Sequence, residues 1–332
     1  MIEVSHLTKK YGSNIAVDDL SFTVNDGQIY GFLGPNGAGK TTTMNIITGY
    51  LGTTDGEVII NGHDIVKEPE EAKKCIGYLP EIPPLYDSMT VMEYLRFVAE
   101  LKKITRTERE KQIGEVMELT RIADMKNRLI QNLSKGYRQR VGIAQAVLGY
   151  PPIIILDEPT VGLDPKQIIE IRQLIRELST KHTVILSSHI LTEISAVCDH
   201  IMILSHGKLV ACDTTEKLGN LLEGSTHLTV QVKAKEEKLR TILDNMKGIS
   251  DYQILKNEKE FLEVQIQMET GKDIREDLFY ALAADKMPIM QMGISATSLE
   301  DVFLELTADN NVQADETESN DTEDDQKEED TK

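Results

Sequence analysis

Gly34-Pro35-Asn36-Gly37-Ala38-Gly39-Lys40-Thr41-Thr42 decides how the first part of this chain folds. The residues before it, Val24 to Leu33, are largely apolar after a turn at Asn25-Asp26-Gly27, and Thr42 to Thr48 favours helix. Strand, glycine-rich loop and helix therefore follow one another around the pattern G-x-x-x-x-G-K-[ST]. Glycines let successive backbone N–H groups converge on phosphate oxygens without Cβ clashes. The N-terminus of the following helix adds partial positive charge. Lys40 would reach the β- and γ-phosphates of a nucleotide, and the Thr41 hydroxyl would ligate Mg2+.

Downstream, Ile153-Ile154-Ile155-Leu156 reads as a buried strand ending at Asp157-Glu158, 117 residues after Lys40. Its two carboxylates would sit at the sheet edge where α/β folds bind ligands. Asp157 would bind Mg2+ directly or through water, and Glu158 would polarise the attacking water. A second β-branched run, Thr183 to Leu186, follows the helical pattern Gln167 to Ser179. Such alternation implies a parallel sheet covered by helices. Between the phosphate loop and the strand at Ile153, roughly Pro83 to Tyr150, apolar residues recur at helical spacing (Val91, Tyr94, Leu95, Val98, Leu101), as in an inserted helical subdomain. Ile2 to Leu7, Leu20 to Val24 and Glu57 to Ile60 suit a small antiparallel sheet.

The pattern changes after Asp213. Strands are expected at Leu228–Val232, Tyr252–Leu255, Phe261–Ile266 and Ile289–Ile294, with helices at Lys235–Met246 and Asp273–Ala284. A polar turn, Asn257-Glu258-Lys259, separates the middle strands. The order βαββαβ is ferredoxin-like. Ser298 is a candidate N-cap for a last helix, Leu299 to Leu306. The expected fold is α/β: a P-loop NTPase core with an antiparallel β subdomain and an inserted helical subdomain, then a small C-terminal α+β domain. The boundaries read as 1–213 (helical insert 83–150), 214–308, and an acidic tail over 309–332, where disorder is expected.

Net charge is −19 over 332 residues, and residues 309–332 carry −9 of it. Neither part is the basic footprint of a nucleic-acid binder. No uninterrupted apolar run is long enough to span a bilayer, and no secretory signal is expected at Met-Ile-Glu-Val-Ser-His. Cys75, Cys198 and Cys212 show no metal or pairing spacing, which fits a reducing cytoplasm.

Leu133-Ser134-Lys135-Gly136-Tyr137 lies just upstream of the second strand, with Ser134 23 residues before Asp157. With this segment the chain, from residue 1 to about 213, resembles the nucleotide-binding subunits of ATP-binding cassette (ABC) transporters. The segment matches their Leu-Ser-Gly-Gly-Gln signature, with Lys135 and Tyr137 as departures. The resemblance implies that Ser134 and Gly136 of one subunit contact the γ-phosphate held by another, at the start of a helix expected near Arg138. Tyr11 falls where the family stacks an aromatic ring on adenine. Gly162-Leu163-Asp164-Pro165 resembles the loop facing the opposite subunit, although Asp164 also reads as a helix N-cap. His189, in Ser187-Ser188-His189, falls at the family's switch histidine, which touches the γ-phosphate. Glu81 replaces the usual glutamine that reaches Mg2+ and relays to the membrane subunit; a carboxylate is a good hard-cation ligand.

The implied protein is an ATPase that binds ATP and Mg2+ and dimerises, as a homodimer or with a related cassette. It would power export through a separate integral-membrane permease from the cytoplasmic face of the membrane. The ending Ser298-Leu299-Glu300-Asp301-Val302-Phe303 also resembles exporter-type cassettes. The rival reading is a soluble ABC ATPase acting on ribosomes or DNA. Ribosomal members usually carry two cassettes in one chain, and repair members a long coiled coil; this chain shows neither.

Overall fold

The computed structural model describes residues 1–220, 227–258, 261–269 and 272–295. Lys259, the helix expected at Leu299–Leu306 and the expected disordered tail lie outside the described residues. The chain divides into two compact units, residues 1–215 and the described residues from Glu216 onward.

In the first unit, β1 (Ile2–Tyr11) and β2 (Asn14–Val24) form a hairpin, and β3 (Ile29–Leu33) leads through residues 34–39 into α1 (Lys40–Ile47). Then come β4 (Asp55–Ile60), β5 (His63–Asp64), α2 (Pro69–Lys74) and β6 (Ile76–Leu79). The next helices are α3 (Val91–Leu101), α4 (Arg106–Leu119) and α5 (Lys135–Val147). The unit continues with β7 (Ile153–Leu156), α6 (Pro165–Ser179), β8 (Thr183–Ser188), α7 (Leu191–Ser195), β9 (His200–Ser205), β10 (Lys208–Thr214) and α8 (Thr215–Asn220), which runs into the second unit.

The central sheet has the order β10-β9-β3-β8-β7-β6. Its pairings are parallel from β6 through β9, and only the edge strand β10 is antiparallel. Every residue of β3, β7 and β8 is buried, as a sheet covered on both faces requires. Register pairs Leu79 with Leu156, Leu156 with Leu186, and Leu33 with Ser188. The strands thus end nearly flush, and the segments starting at Gly34, Pro80, Asp157 and His189 all leave the same carboxyl edge. Strand β6 was not expected from its short, glycine-containing run.

The small antiparallel sheet has the order β2-β1-β4-β5. Phe22 of β2 meets Phe32 of β3 edge to face at 5.4 Å, and residues of both sheets share one apolar core. A capping box starts α3: Thr90 accepts from the Glu93 N–H, and the Glu93 carboxylate accepts from the Thr90 N–H. Lys102, just past α3, donates to the carbonyls of Gln145 (2.8 Å) and Leu148 (2.5 Å), which ties α3 to the last turn of α5.

The second unit contains β11 (His227–Val232), α9 (Glu236–Asp244), β12 (Ile249–Glu258), β13 (Phe261–Met268), α10 (Arg275–Ala284) and β14 (Ile289–Ser295). Its sheet has the order β12-β13-β11-β14, antiparallel throughout. Leu262, Val264, Ile266 and Met268 alternate inward along β13 and share a core with Leu239, Leu243, Leu278 and Leu282 of the helices. β12 begins at Ile249, three residues earlier than its apolar run indicated.

Candidate active site

The loop between β3 and α1 owes its shape to backbone that side chains would disturb. Gly39 has φ 98°, and a Cβ there would lie 2.7 Å from the Ala16 carbonyl oxygen. Gly37 has φ 84°, with open space where its Cβ would point. Both sit in the left-handed region that glycine enters freely. Lys40 begins α1, and its ammonium donates back to the carbonyls of Gly34 (2.7 Å) and Pro35 (3.1 Å). Its Nζ lies 3.8 Å from Glu158 Oε1, and both side chains are buried. Burial pushes the Lys40 ammonium below the ordinary lysine range, while Glu158, Asp157 and Glu81 pull it the other way.

The acidic pair at the end of β7 divides its tasks. Asp157 is 1% exposed, and its Oδ1 accepts from the Ser187 hydroxyl at 2.5 Å. Its Oδ2 is buried and has no hydrogen-bond partner among the described residues. An orphaned carboxylate oxygen is costly unless something occupies it. Glu158 turns the other way, with φ 46° in the left-handed region. Its N–H donates to Ser187 Oγ at 2.8 Å, and both of its carboxylate oxygens lie 3.2 Å from His189 Nδ1. Lys40, Glu158 and His189 therefore form one contiguous row of polar groups.

These groups border a cleft of about 630 Å3. Tyr11, Asn36, Gly37, Ala38, Gly39, Lys40, Thr41, Thr42, Glu81, Glu158 and His189 all line it. Gly34 and Pro35 hold Lys40 from the start of the loop, and Asp157 lies buried at the end of β7. Tyr11 is half exposed, with Lys9 Nζ 5.3 Å from its ring centre. The cleft and its phosphate-loop backbone fit a nucleoside triphosphate. The oxygen donors Thr41, Asp157 and Glu81 fit Mg2+, and the orphaned Asp157 oxygen is the observation that favours it. Among the described residues no cluster of three or more His, Cys, Asp or Glu forms a metal cage.

Sequence reasoning did not assign Asn14, Ile15, Ala16, Val161 and His206, which also line the cleft. The turn bearing His206 is pinned to the loop and to β2: the Gly207 N–H donates to the Ala38 carbonyl, and the Asp18 N–H of β2 donates to the Gly207 carbonyl. Ser187 was also missed, although it bonds both acidic residues. Its partners lie 29 and 30 positions away, so no local pattern reveals it.

Ser134, Gly136 and Asp164 are not in the cleft. Ser134 caps α5, its Oγ accepting from the Tyr137 N–H at 3.5 Å, and the helix starts at Lys135 rather than near Arg138. Asp164 caps α6, accepting from the Gln167 N–H at 2.9 Å. The two turns are neighbours. A Cβ on Gly136 would lie 2.6 Å from the Gln167 side chain, and one on Gly162 would meet the Lys135 ammonium.

Residues 17–161 match the family model "ABC transporter". The bacitracin transport ATP-binding protein BcrA of Bacillus licheniformis is 35% identical over 92% of this chain and 97% of its own length. The linearmycin resistance ATP-binding protein LnrL of Bacillus subtilis is 30% identical over 92% and 98%. Among solved structures, a dimeric ATP-binding cassette, MJ0796, bound to ADP and Pi in a post-hydrolysis state, superposes with TM-score 0.59 at 28% identity, covering 64% of this chain and 98% of that one. With its phosphate loop, acidic strand end and these relatives across almost its whole length, the chain belongs to the ATP-binding subunits of ABC transporters, a family of ATPases.

Proposed function

We propose that this chain hydrolyses ATP as half of a sandwich dimer and so drives export through a separate membrane permease. The observation that carries the reading is the separation of two sets of groups. The phosphate loop, Glu158 and His189 share the cleft, while Ser134, Gly136 and Asp164 lie outside it. A second cassette, a copy of this chain or a close relative, would bring its Ser134 turn to the γ-phosphate held in this cleft.

Within that reading each side chain has one task. The loop N–H groups and Lys40 bind the β- and γ-phosphates and offset their charge. Tyr11 offers its ring to the adenine. Glu158 orients water for attack and accepts its proton at a carboxylate oxygen. His189, within reach of that carboxylate, fixes its orientation and reaches the γ-phosphate. Thr41 and Asp157 would hold Mg2+, with Glu81 at the rim in place of an amide. The metal supplies charge neutralisation on the phosphates when bound. Ser187 keeps Asp157 turned toward the metal position.

Closure of the dimer on ATP and its release after hydrolysis would be the mechanical output. The apolar groove of Tyr86, Tyr94, Phe97 and Leu101, next to the Pro83-Pro84 loop, is a surface for the permease. No helix among the described residues is long and apolar enough to cross a membrane; in this reading the chain sits at the cytoplasmic face of its permease. The second unit, with its βαββαβ order, is read as a ferredoxin-like accessory domain. The names of the bacitracin and linearmycin relatives make antibiotics of those kinds the first substrates to assay.

The test is affinity isolation of the tagged chain from detergent-solubilised membranes. Recovery of an integral-membrane protein whose presence stimulates ATP turnover supports the transporter reading. Recovery of ribosomes or DNA instead, with no membrane protein, would sink it.

A further inference from the structure

We infer that Glu193 is a positioning residue of the ATPase site, a strut that holds the loop carrying Glu158 and the loop carrying His189 in register; this rests on the roles proposed above for those two residues. Glu193 stands in the first turn of α7 and is only 7% exposed. An acid placed there merely to complement a helix terminus or to face water would not be buried. Its Oε2 instead accepts two hydrogen bonds, from Thr160 Oγ1 at 2.5 Å and from Ser188 Oγ at 3.1 Å. Both hydroxyl residues are themselves buried.

The two donors belong to the two loops of the proposed chemistry. Thr160 follows Glu158 by two residues, in a turn where the Val161 N–H donates to the Glu158 carbonyl and the Leu163 N–H to the Thr160 carbonyl. Ser188 is the last residue of β8, directly before His189, and its Oγ also accepts from the Ile190 N–H. Successive side chains of a strand point to opposite faces. Ser187 therefore grips Asp157 and the Glu158 N–H on one face, while Ser188 reaches Thr160 through Glu193 on the other. Together they clamp the β7 loop to the end of β8. The outcome is visible between them: His189 Nδ1 is equidistant, at 3.2 Å, from both Glu158 oxygens, and Glu158 stays in the left-handed region. A non-glycine residue persists there only when its surroundings hold it.

The experiment measures ATP turnover, KM for ATP and thermal stability of the full chain. Glu193→Leu removes the shared acceptor, whereas Glu193→Gln keeps an amide oxygen able to accept both bonds. Glu193→Leu should lower kcat about tenfold or more with KM within about twofold, because the phosphate loop is untouched. Glu193→Gln should restore most of that turnover. If Glu193→Leu does not fold, Thr160→Val removes one donor at constant shape and should give the same split. A folded Glu193→Leu or Thr160→Val variant with unchanged kcat overturns the inference. So does a loss that tracks melting temperature and is not rescued by Gln. Glu158→Gln and His189→Ala are measured alongside. Full turnover in both would mean the reading of the site has failed. Lost turnover in both, with Glu193→Leu unaffected, would mean that only the strut has failed.

Discussion

At the base of the cleft, a set of buried polar side chains joins distant parts of the chain, whereas Ser134 and Asp164 are exposed and cap their own helices. Lys40, Asp157, Glu158, Ser187 and Ser188 are all at most 7% exposed. Lys40 faces Glu158, 118 positions further along the chain, and the Thr160–Glu193 bond spans 33 positions. Ser134 and Asp164 bond only to N–H groups three residues on, in ordinary N-caps. The cleft is therefore built before any partner arrives. The outer turns present polar groups outside the cleft, where the proposed second cassette would use them. Substitutions should accordingly behave differently in the two places.

The largest effect belongs to the buried pair. Lys40→Ala removes a proposed phosphate contact and should abolish ATP binding by equilibrium dialysis; by taking away the buried partner of Glu158 it should also lower folding stability by about 3–5 kcal/mol. Glu158→Gln keeps the shape and removes the carboxylate. It should cut turnover by about a thousandfold while ATP still binds, and leave an ATP-dependent dimer visible by light scattering. Full turnover in either variant would break the distinction at its stronger end.

The outer turn gives the next effect. Ser134→Arg puts bulk on an exposed cap without touching the cleft. Turnover should fall about a hundredfold while ATP binding to the isolated chain stays the same. Because the cap bond is also lost, stability should fall by about 1 kcal/mol. If ATP binding fell with turnover, the two regions would be one site within a single chain.

How much of this contrast was readable from the residues depends on range. The phosphate loop was legible because its glycines and Lys40 act within nine consecutive residues, and β7 because four apolar residues in a row point to a covered strand. The start of α5 was misread. It was expected near Arg138, but Ser134 caps the helix and Gly136 already sits in its first turn, where the Gln167 side chain occupies the place of a Cβ. Strand β6 was hidden because Ile76-Gly77-Tyr78-Leu79 gains its identity only from pairing with β7. Ser187 and Glu193 were invisible for the same reason: their hydrogen bonds join segments that the sequence keeps apart.

A smaller test stays inside the cleft. Ser187→Ala frees Asp157 Oδ1 and the Glu158 N–H together. Turnover should drop about tenfold, with more Mg2+ needed for half-maximal rate, in the way that removing a ligand's supporting hydrogen bond weakens a metal site. Tyr11→Ala, at the half-exposed rim, should raise KM for ATP by about threefold to tenfold with kcat little changed, as loss of a stacking face does. A kcat effect larger than that of Ser187→Ala would reverse the ranking of buried over exposed groups.

The smallest expected change calibrates the others, because it touches neither region. Asp64 ends β5, and its Oδ1 accepts from the N–H groups of Val66 (2.8 Å) and Lys67 (3.1 Å). Its Oδ2 pairs with the Lys67 ammonium at 2.7 Å. The Lys67 hydrogen bond, more than the backbone bonds, holds the Asp64 carboxyl at about 2, against 3.8 for an ordinary aspartate. A carboxyl lowered on folding stabilises the protein fully above its unfolded value, and the gain is lost as pH falls through the folded one. The loss should therefore run from about pH 4 down to about pH 2. Lys67 is largely exposed, so solvent screens the pair and keeps its contribution small. Asp64→Asn should lower the melting temperature at neutral pH and flatten the acid limb of stability over that window. Turnover per folded molecule at pH 7 should not change. A turnover loss here as large as that of Ser187→Ala would mean that global stability, and not the bonds in the cleft, governs the whole series.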